Sequence, residues 1–106
     1  MKCLVIGEEQ EIIHSVSSED IPSSNPQSGW SEQDPSSWIV ALDQCMLRLK
    51  SKININEINS VSFSGHMHGA TCINKDYEII RPCILWNDTR SHQECSEIMT
   101  DKSVMD

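Results

Sequence analysis

Two short segments carry the residue types that suit a small polyhydroxylated ligand: residues 64–70 (SGHMHGA) and residues 84–88 (ILWND). Both stand at the ends of apolar, strand-like runs. A sugar presents hydroxyls in fixed directions and weakly apolar C–H faces, so its site needs a few converging hydrogen-bonding groups and an aromatic or aliphatic wall. His66, Met67 and His68 can supply such groups on a strand-ending turn, and Gly69 lets the backbone come close to a ligand. Asp88 can accept from a hydroxyl and Arg90 can pair with a carboxylate. The bland alternatives are a satisfied histidine, a core methionine, a buried core tryptophan at Trp86, and an Asp88 and Arg90 that cap a helix or sit in solvent.

The elements that must position these residues follow from patterning. Residues 1–6 (MKCLVI) and 11–16 (EIIHSV) are apolar runs separated by Gly7-Glu8-Glu9-Gln10, which signals a hairpin. Residues 17–29 gather serines, Pro22, Asn25 and Pro26, and read as a surface loop within one domain. Asp34-Pro35 then marks a helix start, with the aspartate capping free amides and proline in the first helical position. Trp38, Ala41, Leu42, Cys45, Met46 and Leu49 recur at spacings of three and four and form one apolar stripe. Arg48, Lys50 and Lys52 suit the negative end of that helix. Residues 60–65, 70–74, 78–81 and 83–86 are strand candidates, with Lys75-Asp76-Tyr77 as a turn. A last helix capped by Asn87 or Asp88 would carry Cys95, Ile98 and Met99. Strands mixed with helices in this order predict an α/β domain.

Composition narrows the function. The chain has 106 residues, enough for one modest domain or part of one. Its formal charge is -8, with 16 acidic against 8 basic residues, which repels phosphate backbones and anionic lipid heads, so neither nucleic acid nor membrane is expected as a partner. No apolar run is long enough to span a bilayer and no signal-like segment opens the chain, which predicts a cytoplasmic protein. The 5 cysteines (Cys3, Cys45, Cys72, Cys83, Cys95) are scattered without a CxxC pair, so reduced, mostly buried thiols are expected.

Taken together with residues 30–35 (WSEQDP), these motifs resemble the N-terminal lobe of the FGGY carbohydrate kinases, most closely its xylulokinase branch. In that family a W-x-E-Q-D-P segment opens a long helix, a G-Q-M-H-G turn grips the sugar, and an L-W-N-D-x-R segment closes the same pocket. The resemblance covers residues 2–97. It implies a ribonuclease H-like, actin-like ATPase lobe, a mixed sheet with flanking helices, and substrate contacts from Met67 and His68. It also makes Trp86 a wall against the substrate's carbon chain. Trp30, Glu32 and Gln33 are then structural residues at the helix entrance. His66 stands where the family usually has glutamine. An H-x-H metal pair of His66 and His68, completed by Asp88 or His92, is the competing reading, and zinc is not expected.

The implied parent reaction is ATP-dependent phosphorylation of D-xylulose to D-xylulose 5-phosphate, assisted by Mg²⁺ and a carboxylate base. The alternatives are a sister kinase for ribulose, gluconate or glycerol, or a non-catalytic remnant. In the family a D-x-G-T-S phosphate turn precedes the stretch resembling residues 2–6, and the catalytic aspartate lies beyond the last residue here. Residues 1–106 are therefore expected to be a partial N-terminal domain that holds sugar-site residues and binds no ATP by itself. A homodimeric parent is left open. Met67, His68 and Trp86 are expected to converge on one concavity.

Overall fold

A computed structural model describes residues 1–65 and 67–101. They fall into two compact units, each discontinuous in sequence: Met1–Pro22 with Asp34–Gly65, and Ser23–Gln33 with His66–Asp106.

The first unit begins with the expected hairpin. β1 (Lys2–Ile6) pairs antiparallel with β2 (Ile12–Ser17), and the register slips between Val5 and Ile6, leaving Ile13 as the extra residue of a bulge. The turn closes through Gly7 N to Glu11 O at 2.9 Å and Gln10 N to Gly7 O at 3.0 Å, with Gln10 left-handed at φ 66. α1 (Ser36–Lys50) follows the Asp34-Pro35 signal. Pro35 takes the N-cap position, one residue earlier than the first helical place expected for it, and the aspartate before it still satisfies the start of the helix: Asp34 Oδ1 accepts the Ser36 amide at 2.9 Å and Oδ2 the Ser36 hydroxyl at 2.5 Å. Those bonds, the hydroxyl's first, hold the Asp34 carboxyl below its ordinary value.

Ala41, Cys45 and Leu49 are buried along the α1 stripe, and Cys45 and Leu49 pack with Val16 of β2, flanked by Cys3, Val5 and Ile53. Met46 departs from the stripe and faces outward, as do Ile39, Val40 and Leu47. At the far end Arg48 donates to the carbonyl of Ser17, tying α1 to the end of β2.

Residues 60–65 do not form the expected strand: none belongs to a ladder or bridge, and Phe63 is 80% exposed. Alternation marks a face that wants covering, but a strand also needs a neighbour to bond to, and no described residue supplies one.

The second unit is built around β3 (Glu32–Gln33) paired antiparallel with β4 (Cys83–Ile84), in register Glu32 to Ile84 and Gln33 to Cys83. Isolated bridges extend it, Ser24 to Glu32 on one side and Ala70 to Ile84 on the other. The candidates at 70–74 and 78–81 shrink to a tight loop with one bridge, Ile73 to Ile79, closed by Asn74 N to Glu78 O at 2.9 Å. The Asn74 side chain governs that loop, its Oδ1 accepting the amides of Asp76 and Glu78, both at 2.9 Å.

α2 (His92–Thr100) starts later than expected and is capped by neither Asn87 nor Asp88. Its N-cap position is Ser91, because the Asp88 carboxylate is already engaged elsewhere. Cys95, Ile98 and Met99 on α2 are exposed. All five cysteines are free: Cys45 and Cys83 are buried, Cys3 half-buried, Cys72 and Cys95 exposed. No helix among the described residues is long and apolar enough to cross a membrane.

Candidate functional site

The second unit contains residues 67–70 of the first sugar-type segment, all of the second, and a buried charge cluster around the latter. The Ala70–Ile84 bridge, with Ala70 N to Ile84 O at 2.9 Å and Ile84 N to Ala70 O at 3.1 Å, lays the end of the 64–70 segment against the start of the 84–88 segment. Gly69 belongs at this approach, since a Cβ there would stand 3.1 Å from the Cys83 sulfur. His68 is left-handed at φ 64, a conformation that costs a β-carbon-bearing residue about 1 kcal/mol or more. Gln10 and Tyr77 adopt the same conformation at other turns, so the strain by itself does not single out His68.

Met67 and His68 are exposed, and so is Trp86, at 63%. His66 lies outside the described residues, and so therefore does the histidine pair read as a metal site. Among the described residues no group of three or more His, Cys, Asp or Glu is placed to hold a metal. Two hollows of about 310 and 330 Å³ open in the first unit, beside Asp20 and Val40 and beside Met46 and Ile55. None of Met67, His68, Trp86 and Asp88 lines either.

Asp88 is the most heavily engaged of the candidate residues. Its Oδ2 accepts the Ser31 amide and Arg90 Nη2, both at 2.6 Å, while Oδ1 accepts the Arg90 amide at 2.9 Å and Nε at 2.8 Å. The side chain is 2% exposed. Four donors fill the acceptor capacity of one carboxylate. The Arg90 guanidinium, followed by the two backbone amides, holds the Asp88 carboxyl far below the usual carboxylate range despite burial. Arg90, 15% exposed, is raised in turn by its bonds to Asp88 and Glu32.

Glu32 completes the cluster. Its Oε1 receives Arg90 Nη2 and Arg81 Nη2, each at 2.8 Å, and the carboxylate is buried. Arg90 also lies over Trp30, with its guanidinium carbon 3.7 Å from the ring centroid. Arg90 Nη1 and Arg81 Nε are buried with no acceptor among the described residues. The Trp30 face against the Arg90 guanidinium offers it an electron-rich surface instead. Backbone bonds run alongside: Leu85 N to Ser31 O at 3.0 Å and Thr89 N to Gly29 O at 2.8 Å. Residues 29–33 and 84–90 thus form one clasp. Motif reading treated Trp30 and Glu32 as structural without locating their partners; the signal available was a Glu and two Arg in otherwise apolar or turn segments.

An α/β chain with this clasp, a capped helix after it and a strained histidine turn beside it has the fold of an N-terminal kinase lobe of the actin-like ATPase kind. It belongs to the FGGY family of carbohydrate kinases: the family's N-terminal domain matches residues 1–105. The chain is 36% identical over 102 residues to a xylulose kinase of Klebsiella pneumoniae, which covers 96% of this chain and 21% of that protein. It is 35% identical over 96 residues to a xylulose kinase of Escherichia coli K12, 91% of this chain and 20% of that one. A crystal structure of a xyloylose kinase from Brucella ovis superposes with a TM-score of 0.89 at 38% identity, over 96% of this chain and 22% of that one. A gluconate kinase from Lactobacillus acidophilus, at 23% identity and TM-score 0.83, shares the fold. The chain spans about a fifth of the length of the relatives it matches.

Proposed function

We propose that the chain is the sugar-holding part of a xylulokinase, an enzyme that moves the γ-phosphoryl group of ATP to a hydroxyl of D-xylulose. Met67 and His68 contact the ketose from the turn and Trp86 walls its carbon chain, while Asp88, whose acceptors are filled by Ser31 and Arg90, holds the segment that carries Trp86 instead of accepting from a hydroxyl. The observation that supports this reading is the Ala70–Ile84 bridge, which joins the residue after the Met-His-Gly turn to the residue before the Leu-Trp-Asn-Asp segment. The relatives named xylulose kinase support the choice of sugar.

ATP with Mg²⁺ supplies the phosphoryl group and spreads its charge when bound. The buried carboxylates Glu32 and Asp88 are paired with arginines, and among the described residues no group of three or more His, Cys, Asp or Glu is placed to hold the metal. This chain's own part is to bind and orient the sugar, which accounts for a large share of catalysis in reactions dominated by positioning. His66 in place of the family's usual glutamine favours one second reading, a sister kinase for another ketose or polyol.

The test is titration of the 106-residue chain with D-xylulose, D-ribulose, gluconate and glycerol, read by tryptophan fluorescence. Saturable change with D-xylulose at the lowest concentration supports the reading. A stronger response to another sugar selects the sister kinase, and no response to any overturns both.

A further inference from the structure

We propose that Arg90 is a positioning residue that sets where Trp86 stands, acting through Asp88 and Glu32; this deepens the sugar-site reading and rests on it for the ligand. Trp86 is 63% exposed, so apolar packing does not fix it. Polar bonds on either side of it do. Leu85 N bonds to Ser31 O and Asp88 N to Leu85 O, both at 3.0 Å, so the turn carrying Trp86 is closed on itself and pinned to residue 31. The pin at its far end is the Asp88 carboxylate on the Ser31 amide.

Arg90 holds that carboxylate in place. One nitrogen, Nη2, lies 2.6 Å from Asp88 Oδ2 and 2.8 Å from Glu32 Oε1, and Nε adds a second bond to Asp88 at 2.8 Å. Without the guanidinium, Glu32 would keep Arg81 but the buried Asp88 carboxylate would keep only backbone amides beside a second carboxylate, and the turn would loosen. Lysine offers a point charge and no fork, so it restores the charge balance without the bidentate geometry. Arg81 is a contrast within the same cluster: its guanidinium bonds to Glu32 and, among the described residues, to none of residues 85–90.

The experiment is ¹⁹F NMR of the 106-residue chain labelled with 5-fluorotryptophan. Its 3 tryptophans, Trp30, Trp38 and Trp86, give separate resonances assigned by single Trp→Phe changes. Arg90→Lys should shift and broaden the Trp86 resonance while Trp38, in the other unit, stays native. Arg81→Ala should leave the Trp86 resonance in place. Asp88→Asn, which keeps the size and one acceptor, is the second variant and should move Trp86 in the same sense. D-xylulose should shift the Trp86 resonance in the parent chain and bind about tenfold more weakly to Arg90→Lys, the scale of losing one charged hydrogen bond. Trp86 unmoved in both Arg90→Lys and Asp88→Asn, with Trp38 native, overturns the positioning role. A parent chain whose Trp86 ignores D-xylulose overturns the sugar reading alone, since the effect of Arg90→Lys on Trp86 is read without sugar.

Discussion

The Asp88 carboxylate receives the backbone amide of Ser31, 57 residues away in sequence, at 2.6 Å. This bond ties acid sensitivity to the clasp. A carboxyl held far below its usual range by Arg90 stabilises the folded state fully above its unfolded value, near pH 4, and that contribution is lost as pH falls toward the folded value. The urea midpoint of the chain, followed by tryptophan fluorescence, should be flat from pH 7 to about 5 and fall steadily below about 4. Asp34 adds in the same direction. Asp88→Asn should lower the midpoint at pH 7 and flatten the acid slope; an unchanged slope would show that the acid response arises elsewhere.

Gly29 is left-handed at φ 79, and a Cβ there would stand 2.5 Å from Thr89 Oγ1. Gly29→Ala should therefore destabilise the chain by about 1 to 3 kcal/mol, combining backbone strain with displacement of the threonine that bonds the Gly29 carbonyl. Gly65→Ala, where a Cβ meets nothing within 4 Å, is the matched control. Equal urea midpoints for the two variants would contradict the geometry.

His68 separates folding from binding. His68→Gly removes the left-handed strain and the imidazole together, so it should keep or raise stability while weakening D-xylulose binding. His68→Ala keeps the strain and loses the same contact, at about 1 to 3 kcal/mol for one or two hydrogen bonds to a buried hydroxyl. Calorimetric titration checks both, and D-xylulose affinity unchanged in either variant would remove His68 from the site.

Leu49 lies in the small core between α1 and β2 with Val16 and Cys45. Leu49→Ala should cost about 2 to 4 kcal/mol. In so small a core that is a large share of total stability, visible as a loss of helical circular dichroism at ambient temperature. A midpoint within error of the parent would mean that the core does not hold the first unit together.

The parts of the fold visible in sequence were those decided by neighbours along the chain. Asp34-Pro35 announces α1 because the cap bonds reach only to Ser36, and Gly7 to Gln10 announces the hairpin because its turn closes on Glu11. Residues 60–65 failed because alternation encodes a face and not the strand that must lie beside it. The cap of α2 failed because Asp88 had two eligible employments, and only the fold decides that Ser31 and Arg90 take it. The family motifs pointed to Met67, His68, Trp86 and Asp88, but Glu32 as the meeting point of Arg81 and Arg90 was not legible, since Arg81 lies 49 residues downstream.

That separation has a consequence for the order of assembly during synthesis. Every residue of the first unit has been made once the ribosome has passed position 65, whereas residues 23–33 belong to a unit whose remainder starts at 66. Glu32 and Trp30 thus leave the exit tunnel well before their partner Arg90 has been translated, a wait on the order of several seconds at ordinary elongation rates. Closing a loop of this length then costs roughly 3 to 4 kcal/mol in chain entropy, to be recovered only when the guanidinium arrives. During that interval the nascent chain displays an unpaired carboxylate and an open indole, so a pause upstream of codon 90 would lengthen the period in which holdase chaperones compete for this segment.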